Sequence, residues 1–319
     1  MGLITDIKGI KVGHCSDFEN ITGCTVVLFD GNATGTVDMR GGGTSTRQID
    51  GLLPHHNFSN INAIMLTGGS AYGLDASSGV MKYLEEKLIG LKVGSSSVVP
   101  SVPTAVIFDL GIGNSKVRPN GDFGYKACQN AKKRFEQGTV GVGTGATIGK
   151  YLGINHATKG GLASESLELP NGTKIGVLVV VNAFGSVYDY KDGNTCIAGI
   201  RNTKGKNFLD TSDLIHKGVP QTTNTIRNTT LAVVATDAKF SKEQLNRIAV
   251  IAHTGISRVI NPCHTISDGD MVFAVSMGNK EAKINDVGIM ASELISDSII
   301  KAVKSASGLG GLPSYSDLI

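Results

Sequence analysis

Tryptophan is absent from this 319-residue chain, proline is scarce at 8, and charged residues make up only 18%. Little proline beside 42 glycines favours an ordered body with tight turns and close backbone approaches over a disordered chain. Basic runs are missing too. With a net charge of +3 and aromatics at 5% that do not interleave with Lys or Arg, neither nucleic acid nor an anionic membrane is expected as a partner. No apolar run can span a bilayer, the longest, residues 175–183, being strand-sized. The N-terminus lacks the charged start and apolar core of a signal peptide, so a cytoplasmic location is expected. The five cysteines, Cys15, Cys24, Cys128, Cys196 and Cys263, are scattered with no C-x-x-C, which argues against a disulfide framework or a zinc knuckle. The histidines show no metal-ligand spacing. No cofactor and no metal are expected.

What is present is a layered α/β pattern. Apolar runs recur at residues 24–29, 63–66, 105–110, 176–181, 231–235 and 272–275. Several are apolar at consecutive positions, as in strands covered on both faces. Amphipathic helical patterns lie between them. One spans about 74–88; one starts at Ser241, where Gln244 completes a capping-box signature, and continues to Ile260 before Pro262; one spans about 286–305. Residues 204–228 are polar and poor in large apolar side chains, and form the best candidate for an exposed segment that would tolerate a cut. Residues 229–319 read strand–helix–strand–helix, too short for an independent domain and expected to share one core with 1–228.

Two glycine-rich stretches invite a nucleotide-binding reading and fail it. Gly143-Thr144-Gly145-Ala146-Thr147-Ile148-Gly149-Lys150 has Thr144 where a phosphate loop needs Gly, and Tyr151 where it needs Ser or Thr. Residues 141–146 fit G-x-G-x-x-A, but the preceding residues 132–137 are no buried strand, so a backbone turn in a substrate pocket is expected instead. Thr67-Gly68-Gly69-Ser70-Ala71-Tyr72-Gly73 follows a strand and opens a helix. It reads either as a tight turn or as a loop whose N–H groups bind substrate or an oxyanion.

The most informative stretch is Asn228-Thr229-Thr230-Leu231-Ala232-Val233-Val234-Ala235-Thr236, where the polar segment 221–227 meets an apolar strand. A cut before Thr229 would leave a residue carrying both a nucleophilic hydroxyl and its own α-amine, which can serve as the adjacent base. An ordinary strand start has the same composition. Downstream, Asp268-Gly269-Asp270 sets two carboxylates two apart before an apolar strand, so both can face one site, although such a turn needs no function. Upstream, Asn182 ends the most apolar run; a buried amide there must find partners and could offer its NH₂ to an oxyanion. Lys159-Gly160-Gly161 could supply a cation. His253 and His264 flank the end of a helix, where a structural part is expected.

Taken in order, Val-Asn-Ala-x-Gly at 181–185, Asn-Thr-Thr-Leu-x-Val-Val-Ala-Thr at 228–236 and Asp-Gly-Asp-x-Val-Phe-Ala at 268–274 resemble the DmpA-type peptidase family. This family holds the L-aminopeptidase/D-amidases, the β-peptidyl aminopeptidases and the 6-aminohexanoate-oligomer hydrolases. The resemblance runs over nearly the whole chain, through residues 10–14, 22–26, 39–42, 66–76, 106–110, 143–146 and 159–161. It implies a four-layer αββα sandwich, the type shared with ornithine acetyltransferases. It also implies a single domain over 1–319 that cleaves itself into 1–228 and 229–319. These two-chain units are expected to form a homo-oligomer, a tetramer.

The resemblance further implies that the bond between Asn228 and Thr229 is scissile, and that Thr229 is the nucleophile. Asn182 would stabilise the oxyanion, and Asp268 and Asp270 would hold the Thr229 amine and hydroxyl. Tyr125 and Lys159 complete the expected catalytic set, with Lys150 competing for the place of Lys159. A Thr nucleophile with two Asp looks like the oligomer-hydrolase branch, because the aminopeptidase branch has Ser at the nucleophile and Ser/Glu at the two Asp positions. The expected activity is hydrolysis of N-terminal aminoacyl amides, peptides or amino-acid oligomers through an acyl-enzyme on Thr229. A small peptide or amide substrate is thus the expected partner. Two alternatives remain: an acyltransferase of ornithine-acetyltransferase type, in which an amine takes the acyl group, and a non-catalytic binding homologue.

Overall fold

A computed structural model describes residues 2–94, 97–202, 207–222 and 227–319. Its centre is a nine-stranded sheet. The strands are β1 (Ile10–Asp17), β2 (Thr22–Met39), β3 (Thr46–Arg47), β4 (Asn60–Thr67), β5 (Thr104–Val106), β6 (Leu162–Glu168), β7 (Lys174–Asn182), β8 (Thr229–Ala238) and β9 (Met271–Lys280). Their spatial order is β6-β7-β8-β9-β2-β4-β5-β3, with β1 paired to β2 off this path. Only β8–β9 and β4–β5 are parallel among these pairs. The helices are α1 (Ala76–Glu86), α2 (Gly121–Gln129), α3 (Thr211–His216), α4 (Lys242–Ala252), α5 (Thr254–Val259) and α6 (Ile284–Lys304).

The consecutive apolar runs have a physical cause in three apolar clusters. Along β7, Ile175, Val177, Val179 and Val181 enter a cluster with side chains of α4, α5 and α6. The intervening Leu178 and Val180 enter a second cluster. Strands β8 and β9 divide in the same way, Val234 and Val272 to the first cluster, Val233 and Phe273 to the second. The second cluster also takes Val27, Phe29, Ile64 and Leu66 from β2 and β4. Their neighbours Val26, Leu28, Ala63 and Met65 join a third cluster, with Val80 and Leu84 of α1 and Ala127 and Cys128 of α2. Strand β2 has 18 residues and links the two groups of strands. Its residues 22–29 pair with β1 and residues 34–39 with β9, and its register on β4 jumps between Leu28 and Ala33. Such a bulge bends a strand.

The helix from Ser241 starts as its sequence predicts. The Ser241 hydroxyl accepts the Gln244 N–H at 3.3 Å, while the Gln244 side chain accepts the Ser241 N–H at 2.9 Å. It then departs from expectation, because α4 and α5 are separate helices that join at His253 and give way to a short strand at Ile260–Asn261. The predicted strand at 105–110 ends at Val106. Asp109 turns inward there, its carboxylate accepting the Thr22 hydroxyl and the Gly69 N–H, both at 2.7 Å.

The polar segment 204–228 lies outside the described residues at 204–206 and 223–226. Its described part is ordered, not a featureless exposed stretch: Phe208–Leu209 pairs with Ile200–Arg201, and α3 follows. Leu209, Leu214 and Val219 hold it against Tyr151 and Phe184. Among the described residues, no helix is long and apolar enough to cross a membrane.

Candidate active site

Three strand ends meet at one place. Because β7 runs antiparallel to β8, its last residue, Asn182, pairs with the first residue of β8, Thr229. Because β9 runs parallel to β8, the residues entering β9 lie beside those entering β8, and Asn228 bridges Asp268. Asn228 is fully buried and Thr229 nearly so. The Thr229 hydroxyl donates to the carbonyl oxygen of Asn228, the residue just before it. The same oxygen accepts the Gly269 N–H at 2.8 Å, while the Asn228 N–H donates to the Ser267 carbonyl at 2.9 Å. Two glycines permit this packing. A Cβ on Gly269 would stand 2.9 Å from Thr229 Oγ1, and one on Gly41 would stand 2.3 Å from the Asp268 carbonyl oxygen.

The two carboxylates have different partners. Asp270 Oδ1 accepts the Thr230 N–H at 2.6 Å, and Oδ2 accepts the N–H and the ring Nδ1 of His264, each at 2.9 Å. Asp268 Oδ2 accepts the Thr265 N–H at 3.0 Å and its hydroxyl at 2.5 Å, and Oδ1 accepts the Phe184 N–H at 3.4 Å. Burial first, and then the charge of Asp270, push Asp268 up to about 6, the behaviour of two carboxylates sharing a site. A group titrating there can exchange a proton near neutrality.

Asn182 has its amide orientation set by its neighbours. Its Oδ1 accepts Lys150 Nζ at 2.8 Å, the Thr147 N–H at 3.0 Å and the Thr147 hydroxyl at 3.3 Å, and its Nδ2 donates to the Phe108 carbonyl at 3.2 Å. Three donors on one atom identify it as the oxygen. The NH₂ is therefore the end able to serve an oxyanion, with one hydrogen already used on Phe108. Lys150 completes its bonding with the carbonyls of Thr147 at 3.0 Å and Asn182 at 3.1 Å. Lys159 donates to the carbonyls of Gly143 at 2.8 Å, and Ala146 and Gly160 at 2.9 Å. The turn that superficially resembles a nucleotide loop is thus part of the cage of a lysine. Both ammonium groups are buried, and burial lowers each to about 7; Asp268 pulls Lys150 back upward and Asp109 does the same for Lys159.

Tyr125 is not brought to this cluster. It sits on α2, which packs on α1, β1 and β2, and its hydroxyl donates to Glu86 of α1 at 2.6 Å. The 67–73 loop is a tight turn. Its Gly68, Gly69 and Ser70 N–H groups are used on the Gly23 carbonyl, Asp109 and the Ile107 carbonyl. Sequence reasoning missed the parts of His264, Thr265, Thr147 and Gly269. One signal was available: a buried acidic pair needs donors, and His264 and Thr265 stand a few residues upstream. An open cleft of about 940 Å³, lined by Asp6, Lys133, Arg134 and Glu168 among others, contains none of the residues around Thr229. Among the described residues, no group of His, Cys, Asp and Glu could hold a metal ion.

The profile of peptidase family S58 matches residues 2–314. A protein of Mycobacterium tuberculosis (strain H37Rv), described as an uncharacterized aminopeptidase, is 38% identical over 347 aligned positions, covering 100% of this chain and 98% of its own. The 6-aminohexanoate-oligomer endohydrolase of Kocuria sp. (strain KY2) is 30% identical over 319 positions, 94% of this chain and 85% of that one. The structure of an L-aminopeptidase D-Ala-esterase/amidase from Ochrobactrum anthropi, described as a variant of the Ntn-hydrolase fold, matches with a TM-score of 0.71 at 18% identity. It covers 98% of this chain and 88% of that one. The two share a fold.

Proposed function

The chain belongs to peptidase family S58, and from that premise we propose that it is a self-processing amide hydrolase with Thr229 as its nucleophile. One observation carries this. The Thr229 hydroxyl lies against the carbonyl of the bond to be cut, and the same oxygen already accepts the Gly269 N–H. The Thr229 oxygen attacks the Asn228 carbonyl carbon, its proton passes to the leaving nitrogen, and the C–N bond breaks. The result is an ester of Asn228 on the Thr229 hydroxyl and a free α-amine on Thr229. Water then releases Asn228 as a carboxylate. The Gly269 N–H, already on this oxygen, would hold the oxyanion, and the second hydrogen of the Asn182 amide would join it, a role supported by the pairing of Asn182 with Thr229 across the ladder.

In turnover the acyl group of a substrate takes the position of Asn228. The Thr229 amine, ordinarily titrating at about 7.7–8, accepts the hydroxyl proton. Asp270 grips the backbone at Thr230, and Asp268 contributes a carboxylate that can trade a proton near neutrality. Lys150, not Lys159, is the lysine of the site, since it holds the Asn182 amide. Tyr125 has no part in the chemistry. The three apolar clusters support a four-layer αββα sandwich, with α4–α6 outside β6–β9 and α1–α2 outside β1, β2 and β4. The names of the relatives support aminoacyl amides, peptides or amino-acid oligomers as substrates. Thr229 with two Asp favours the oligomer-hydrolase branch, acting as a cytoplasmic homo-oligomer of two-chain units.

Intact mass and N-terminal sequencing of the purified protein test this. Two fragments, the smaller beginning at Thr229, are expected, and Thr229→Ala should remain one 33.2 kDa chain. A wild-type protein that stays uncut, or a Thr229→Ala variant that still cleaves, overturns it.

A further inference from the structure

His264 adopts φ +57, the left-handed conformation that residues with side chains seldom take. This turns its backbone N–H and its ring toward one oxygen, Asp270 Oδ2, with both contacts at 2.9 Å. Oδ1 is left to the Thr230 N–H, one residue beyond the nucleophile. The arrangement is backed by a second ring. His253 meets His264 edge-on at 5.0 Å between centroids, and its Nε2 lies 3.0 Å from the Asp38 carbonyl oxygen. Arg40 in turn binds the Asp38 carboxylate at 2.8 Å.

We propose that His264 is a positioning residue for the Thr229 chemistry: its ring holds the Asp270 carboxylate in the orientation that grips the backbone at Thr230 and so aims the Thr229 hydroxyl and, after cleavage, its amine. This rests on Thr229 being the nucleophile. The groups facing the ring are Asp270 and Cys263 on its own segment and His253 at the junction of α4 and α5; Asp38 and Arg40, just at and beyond the end of β2, act on His253. Burial opposes charge on His264, but Asp270 and Cys263 outweigh it and lift the ring to about 10. His253 is lowered to about 4, by burial first. One ring of the pair is charged near neutrality, and it is the ring on the carboxylate.

Two variants separate this part from a merely structural one. His264→Gly keeps the left-handed backbone and its N–H but removes the ring. His264→Asn also tolerates that backbone and puts a neutral N–H donor where Nδ1 was. Self-cleavage rate, kcat, KM for an aminoacyl p-nitroanilide, melting temperature and the pH profile are measured beside wild type and Thr229→Ala. His264→Gly should cleave itself and turn over about 10²-fold more slowly, as expected for a misplaced nucleophile, with KM little changed. His264→Asn should recover most of the rate, but its acid limb should move to higher pH, because a cation has left the carboxylate pair. Wild-type rates in His264→Gly overturn the proposal, as does a His264→Asn variant as slow as Gly that melts like wild type. If His264→Gly does not fold, an unshifted acid limb in His264→Asn overturns it. A wild-type chain that is never cut removes the Thr229 assignment instead, whereas a cut wild type beside an unimpaired His264→Gly removes only this proposal.

Discussion

Lys150 and Lys159 look alike by every local measure. Both are buried, both make three hydrogen bonds to oxygen, and burial holds both near 7. They differ in whose oxygens surround them. Lys159 is held by backbone carbonyls of a turn, whereas Lys150 is held partly by the side chain of Asn182, which pairs with Thr229 across the ladder. A buried lysine with a lowered pKa is a common mark of a functional site. Here the mark is on both residues, so it cannot choose between them. The partner side chain is what supports Lys150 in the proposed function.

Removing each ammonium in turn separates the two lysines most directly. Lys150→Met should lower kcat by about 10²-fold or more, because the amide proposed to serve the oxyanion loses the donor that orients it. Turnover per folded molecule, from active-site titration and a melting curve, checks this. Asp268→Asn should have the next largest effect. Asp268 acts on Lys150 and is not among the charges acting on Lys159. In wild type the rate should fall as pH drops through about 8, where the Thr229 amine takes a proton, and fall further through about 6 as Asp268 does; the variant should lose only the second step while running slower on the plateau.

Lys159→Met should instead leave kcat per folded molecule near wild type and lower stability. A buried carbonyl stripped of its donor costs about 1–3 kcal/mol. The pH dependence carries a definite sign. A lysine whose folded pKa lies below its unfolded one contributes stability that is fully present above the unfolded value, 10.5, and lost as pH falls through about 7. Urea melts should therefore show wild type gaining on Lys159→Met between pH 7 and 10, by at most about 1.4 kcal/mol per pH unit. If Lys159→Met loses turnover and Lys150→Met keeps it, the assignment is reversed. Ser241→Ala supplies the small end of the scale, a loss of about 1 kcal/mol in melting stability from one helix cap, with neither lysine's behaviour altered.

The middle of the fold is legible in the sequence. Strands β7, β8 and β9 are buried on both faces, so their side chains are apolar at consecutive positions and stand out without help. Asn182, Thr229 and the Asp268/Asp270 pair are legible for the same reason, since each lies at the end of such a strand. The rest depends on pieces too short to carry a period. Lys150 reaches Asn182, and Lys159 does not, through a two-residue ladder in which Thr147 pairs with Lys159. The bend of β2 hides within one continuous strand. His264 depends on a single left-handed residue. Tyr125 follows α2 to its packing against α1, β1 and β2, a placement set by helix packing that no motif around Thr229 encodes.

The position of β8 and β9, side by side with β7 on one flank and β2 on the other, has a consequence for the history of each molecule. A break after Asn228 would remove none of the ladders that tie residues 229–280 to the strands around them, so the cut protein would keep its shape. Once denatured, however, it would become two solutes, and recovery would require them to meet, at a rate that falls with dilution. The uncut chain has no such dependence. Folding would then be a single event, completed while the polypeptide is continuous, and a denaturing step that the precursor survives would retire the mature form in dilute solution.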